Sequence, residues 1–205
     1  MLRNQVGLFI SPFVKTIVWD VDDVLNDLMG NWLEQQWLPR NPGCPIGYAA
    51  LTENPPHRVL GVSREAYLES LDDFRLARMA DLNPVPEVRA WFEQQGHKFR
   101  HVVLTAVPVG TAHLSAGWVL RHFGEWIRSF HFVPSPRKDD PPFHYDQSKG
   151  EFLRWLGRGD ILVDDQPANL AAAADLGLGG ILFPRPWNDG SESIPALLER
   201  LSLQA

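Results

Sequence analysis

The chain has 205 residues, 44% of them hydrophobic and 21% charged, with a net charge of -6. That length and balance describe one globular domain, or one carrying a small inserted subdomain. The acidity excludes a dedicated binder of nucleic-acid polymers, which presents a basic face, but not a small anionic substrate held beside a cation.

The single cysteine, Cys44, excludes an intramolecular disulfide and a cysteine-based zinc site. The opening MLRNQVGLFISPFVK has too short an apolar run for a secretory signal. No run is long enough to span a bilayer. A cytoplasmic protein without membrane contact is therefore expected, and oligomeric state is left open.

In chain order, TIVWD (16–20) is a short apolar run that reads as a buried strand. FRHVVLTA, SFHFVP, DILVDD and GGILFPR repeat the pattern. Helical patterns lie between them. PEVRAWFEQQG opens on Pro86 and stops at Gly96, AHLSAGWVLRHFG and KGEFLRWLG each stop on Gly, PANLAAAADLG follows, and IPALLERLSL closes the chain. Strand and helix in alternation predict an α/β, Rossmann-like doubly wound parallel sheet.

From Asn26 to Asp81 the alternation breaks. LNDLMGNWLEQQWL has a helical period, a Pro/Gly-rich connection runs from Pro39 to Pro56, and SREAYLESLDDFRLARMADL is a second helix capped by Ser63. Residues 1–25 and 82–205 thus form the core, and 26–81 a small helical insertion after the first strand. The segment Ser135 to Gln147 is charged and irregular. The run Gly177-Leu-Gly-Gly180 follows a helix and precedes a strand, the reverse of a dinucleotide cradle, and reads as a helix stop. The histidines show no metal-ligand spacing and read as surface or structural.

Open parallel sheets gather functional groups beyond the carboxyl ends of their strands. Here the first strand ends in Asp20 and Asp22, the second in Thr105, and DILVDD in Asp164 and Asp165. Neighbouring strands would bring these carboxylates together, which is untenable unless some are neutral or a cation sits among them. A hard divalent ion such as Mg²⁺ suits oxygen ligands, and the lack of His in these motifs disfavours zinc. Asp23 and Asp27 read as solvated or as helix N-terminal acids.

DVDDVL, VVLTA, the lysine of DQSKGEF and ILVDDQPAN, in that order, resemble the four motifs of the haloacid dehalogenase-like (HAD) hydrolase superfamily. The insertion, ILVDDQPAN and ILFPRPWN resemble its 5'(3')-deoxyribonucleotidase branch, with Asp23 standing where that branch usually has Gly. The resemblance implies an Mg²⁺-dependent phosphatase with Asp20 as nucleophile forming an aspartyl-phosphate and Asp22 as general acid and base. Thr105 would bind a phosphoryl oxygen, and Lys149, rather than the nearby Lys138, would neutralise the phosphate. Asp165 would be the main metal-binding acid, with Asp164 beside it, Asp20 and the main-chain carbonyl of Asp22 completing the ligands.

The insertion would be a cap in which Trp32, Trp37, Tyr48, Tyr67 or Phe74 line the pocket. The implied partner is a small phosphorylated metabolite, foremost a 5'-nucleotide or deoxynucleotide. A sugar phosphate and a non-catalytic binding module are the alternatives.

Overall fold

The computed structural model describes residues 14–205. The N-terminal reading, apart from its last residues, falls on 1–13, outside the described residues. Strands β1 (Thr16–Trp19), β2 (Arg100–Val107), β3 (Ile127–Pro134), β4 (Ile161–Asp164) and β5 (Gly179–Leu182) form one parallel sheet in the order β3-β2-β1-β4-β5. All five strand runs expected from the sequence are present. The chain winds outward from β1 to β3, then restarts on the other side with β4. The switch point lies between β1 and β4, where ligands of such sheets bind.

Period-two alternation sends side chains to both faces. Ile17, Trp19, Val103, Ile161 and Val163 join the larger core. They meet Val88, Trp91 and Phe92 of α4 (Pro86–Gln95), Trp118 and Phe123 of α5 (Ala112–Phe123) and the leucines of α8 (Ile194–Ser202). Val18, Leu104 and Leu162 face the other way, onto α6 (Lys149–Leu156) and α7 (Pro167–Ala174). Burial on both faces explains why the strands read as unbroken apolar runs.

His101 sits in the larger core and settles its structural role there. Trp19 Nε1 donates to His101 Nδ1 at 3.0 Å, and His101 Nε2 lies 2.8 Å from the Gly96 carbonyl. A ring that accepts at one nitrogen and donates from the other is neutral. Burial pushes its pKa down to about 4 from 6.5. The unfolded chain therefore binds this proton more tightly, so the stabilisation is full above pH 6.5 and is lost as pH falls toward 4. Urea midpoints are expected to drop over that window, by up to about 3 kcal/mol from this residue. In His101→Gln the drop should flatten; an equal slope in the variant would refute the assignment.

Between β1 and α4 the chain forms helices and loops and adds no strand to the sheet. α1 (Leu28–Trp32) runs into a π-helical turn (Leu33–Trp37) and α2 (Leu38–Arg40), where the sequence suggests one regular helix. The register changes just before Pro39, which has no N–H to give to an ordinary helical ladder. α3 (Arg64–Arg78) starts at Ser63, whose hydroxyl accepts from the Ala66 N–H as its cap. Trp32, Trp37, Tyr67, Leu71 and Phe74 bury against each other and extend the larger core into this segment.

The two ends of the insertion meet. Val85 N–H donates to the Leu25 carbonyl at 2.9 Å, and Asn26 bridges Pro84 in antiparallel fashion. Arg185, in the loop after β5, donates to the Asp23 carbonyl at 2.6 Å and the Asn26 carbonyl at 3.3 Å. It also reaches Asp27 Oδ1 at 3.3 Å and the Tyr48 hydroxyl at 3.2 Å.

Candidate active site

β1 ends one residue before Asp20, and Asp20 N–H still bonds to the Val163 carbonyl at 3.0 Å, so its carboxylate leaves the sheet edge beside β4. β4 ends on Asp164, with Asp165 next. α6 begins at Lys149, directed here by its Ser148 cap. Its ammonium lies 2.8 Å from Asp20 Oδ2 and 2.7 Å from Asp164 Oδ2, buried between them. Lys138 is exposed, so Lys149 is the lysine that the fold brings to the acids.

One carboxylate oxygen from each of Asp20, Asp164 and Asp165 lies within 4.8 Å of the others. Burial, with Asp164 and Asp165 nearby, pushes Asp20 up to about 7 against the opposing pull of Lys149. Burial and Asp164 push Asp165 up to about 6. For Lys149, burial acts to lower the pKa, but Asp164 and Asp20 outweigh it and the group is raised. One ammonium does not neutralise three buried acids, and the surplus negative charge fits a hard cation.

Asp164 is the most heavily bonded of the three. It accepts from the Gln166 N–H at 2.9 Å and from Asn169 Nδ2 at 3.0 and 3.1 Å, besides Lys149. Asp165 Oδ2 accepts from Trp187 Nε1 at 2.6 Å and Gln166 Nε2 at 2.8 Å. Such outer contacts fix the orientation of a carboxylate toward a metal.

Asp22 turns away from this cluster. Its Oδ2 pairs with Arg75 Nη1 of α3 at 2.6 Å, and its Oδ1 accepts from Asn26 Nδ2 at 3.3 Å. Its carboxylate is thus engaged with the insertion, leaving its main-chain carbonyl as the atom expected at a metal. Thr105 lies within β2, two residues before the strand's end rather than at it. Its hydroxyl is buried and has no hydrogen-bond partner.

A cavity of about 200 Å³ lies over these groups, and its lining includes Asp20, Asp22, Thr105, Lys149 and Asp165. α3 supplies one wall through Arg64, Tyr67, Leu68, Leu71 and Arg75. Arg137, from the irregular segment after β3, supplies another and holds Asp72 of α3 at 2.5 and 2.7 Å. Of the five aromatics of the insertion, Tyr67 lines this cavity. Trp32, Trp37 and Phe74 pack in the part of the larger core that extends into the insertion, and Tyr48 stands against Trp187.

Asp23 and Asp27, expected to be solvated or to sit at a helix N-terminus, both stand at the start of α1. Asp23 has φ of 62°, the left-handed region, which accounts for glycine being usual at that position. Asp tolerates this conformation better than most residues. Its buried carboxylate accepts from the Met29 N–H at 2.9 Å, inside the first turn of α1. Burial raises it well above the usual carboxylate range, with Arg185 opposing. Asp27 is the residue that precedes α1, half-buried and bonded to Tyr48 and Arg185 rather than solvated.

Arg75 escaped the sequence reading. Its signal was there: it falls on the stripe Tyr67, Leu71, Phe74, where a charge interrupts the apolar face of an amphipathic helix.

No family model matches the chain, and no curated protein matches it. Solved structures do. A protein described as a beta-phosphoglucomutase of Thermotoga maritima superposes with a TM-score of 0.56 at 15% identity, covering 92% of this chain and 99% of that one. Protein Tyrosine Kinase A of Mycobacterium tuberculosis gives 0.61 at 14%, covering 92% and 98%. The haloacid dehalogenase-like hydrolase SP0104 of Streptococcus pneumoniae gives 0.54 at 11%, covering 82% and 84%. The chain therefore has the HAD-like fold. The three names describe a mutase, a kinase and a hydrolase, so the reaction must be argued from the site.

Proposed function

We propose that this protein is an Mg²⁺-dependent phosphomonoesterase acting through an aspartyl-phosphate on Asp20. The observation that carries this reading is the buried bridge of Lys149 between Asp20 and Asp164 at the floor of a cavity that also holds Asp22 and Thr105. An Asp20 oxygen attacks phosphorus, the ester P–O bond breaks, and Asp22 gives its proton to the leaving oxygen. Water then attacks the phosphorus of the acyl phosphate while Asp22 takes its proton, releasing inorganic phosphate and restoring Asp20. Lys149 offsets the charge of the phosphoryl oxygens, and the Thr105 hydroxyl, which lacks a partner, donates to one of them.

Asp20 and Asp165, with Asp164 and the Asp22 carbonyl completing the set, would hold Mg²⁺, which supplies charge neutralisation and orientation of the phosphoryl group when bound. Chelation with EDTA is expected to lower phosphate release from an aryl phosphate by at least about 10²-fold, with recovery on adding Mg²⁺. Unchanged release after chelation would remove the metal from this proposal. Complete absence of release from metal-loaded protein would favour the non-catalytic binding module.

Residues 26–81 would act as the cap over the leaving group, excluding water from the site. The likeness of the insertion and of ILFPRPWN to the nucleotidase branch supports a 5'-nucleotide or deoxynucleotide. The second reading is a more compact metabolite of the sugar-phosphate kind. The small cavity and the burial of three insertion aromatics in the larger core favour it. Rates on nucleoside monophosphates against sugar phosphates separate the two.

A further inference from the structure

We infer that the substrate carries a carboxylate next to its phosphorylated carbon, and that Arg75 receives it. This rests on the phosphomonoesterase reading and deepens it. Arg75 is buried, lines the cavity, and brings a guanidinium with five N–H donors. Among the described residues its side chain has one hydrogen-bond partner, Asp22, and its Nε is buried without any. A buried guanidinium this poorly satisfied is rare, because unmet charged donors are among the most unfavourable groups to keep from water.

Its position says which part of a substrate it meets. Thr105, Lys149 and the acid cluster gather at the phosphoryl end of the cavity. Arg75 sits on Asp22, the group proposed to protonate the leaving oxygen, so its neighbourhood is the leaving group's first carbons. Asp22 cannot serve that oxygen while it stays committed to Arg75. Drawing Asp22 away would leave a buried cation unpaired unless the substrate returns an anion. A carboxylate matches the guanidinium fork with two parallel hydrogen bonds and fits a cavity of about 200 Å³. The other cations of the wall differ. Arg137 is already held by Asp72 and by the Ser135 carbonyl, and Arg64 is exposed at the rim.

The test uses two esters of one skeleton, 2-phosphoglycerate and glycerol 2-phosphate, in which a carboxylate replaces a hydroxymethyl group. Phosphate release from both, and from an aryl phosphate, is measured with Mg²⁺ present. The wild-type kcat/KM is expected to favour 2-phosphoglycerate by at least about tenfold, the preference a site built for a polar group shows over its analogue. Arg75→Gln should bring that ratio close to one, and Arg75→Lys should keep part of it. A wild-type ratio within about twofold, or a ratio that Arg75→Gln does not move, overturns the inference.

Should Arg75→Gln fail to fold, competitive inhibition of aryl-phosphate hydrolysis by the two esters, in wild type and Arg75→Lys, gives the same decision. Hydrolysis of the aryl phosphate without the preference sinks this inference alone. No release from any ester sinks the phosphomonoesterase reading as well.

Discussion

Asp20→Asn is expected to lower kcat for phosphate release by at least about 10³-fold while leaving the protein folded and no less stable at pH 7.5. The first half follows from chemistry: an amide in the same place cannot form the acyl phosphate. The second follows from electrostatics. Burial, with the neighbouring acids, raises Asp20 to about 7 in the folded protein from 3.8. A carboxyl raised on folding binds its proton more tightly in the native state. Its contribution to stability is therefore largest at low pH and declines as pH rises from 3.8 through 7. Asn removes that charge, so thermal unfolding at pH 7.5 should show an unchanged or higher Tm. Retained activity would show that Asp20 is not the nucleophile. Lost activity with a sharply lower Tm would show a structural role instead.

Lys149→Met is expected to fail in both respects. The ammonium is the only cation within bonding distance of Asp20 and Asp164 among the described residues. Removing the sole cation of such a buried network typically costs about 3–5 kcal/mol, because the remaining like charges stay buried without compensation. In this variant the acids would have to take up protons to remain buried. Its deficit in urea unfolding should therefore be larger at pH 8 than at pH 5. Mg²⁺ should restore part of the stability by supplying the missing positive charge. Activity should fall by about 10²–10³-fold, the scale of losing one charge-stabilising donor. A variant as stable as wild type at pH 8 would mean that the acids do not depend on this lysine.

The sequence and the structure agree most closely where physical chemistry acts locally. Strands buried on both faces appear as apolar runs, and Pro86, Gly157 and Ser63 mark helix ends through properties of single residues. Asp20, Thr105, Asp164 and Asp165 come to one edge as the strand order requires, since β1 lies between β2 and β4, and Lys149 is brought to them by the start of α6. What escaped depends on partners distant in the chain. Arg75 gains its meaning from Asp22, 53 positions away, and Trp187 from Asp165, 22 positions away. Asp23 could be seen to replace a glycine, but only a backbone angle explains why glycine is usual there. Choosing among the aromatics of the insertion required knowing which ones the larger core consumes. A helical period gives the buried stripe but not its division between core and cavity.

The meeting of Leu25 with Val85, and of Asn26 with Pro84, has a consequence for how such a protein can change. A segment whose entry and exit touch adds little loop-closure entropy to the sheet that bears it. It would behave as a cassette: another length or composition between the same two points would leave β1 and Asp20 where they are, while the Asp22 carboxylate would lose Arg75 and Asn26. Arg75 and Tyr67 travel with the cassette, whereas Asp20, Lys149 and Asp165 stay with the sheet. If the phosphomonoesterase proposal holds, exchange of this one segment would retune which alcohol is recognised without moving Asp20, Lys149 and Asp165.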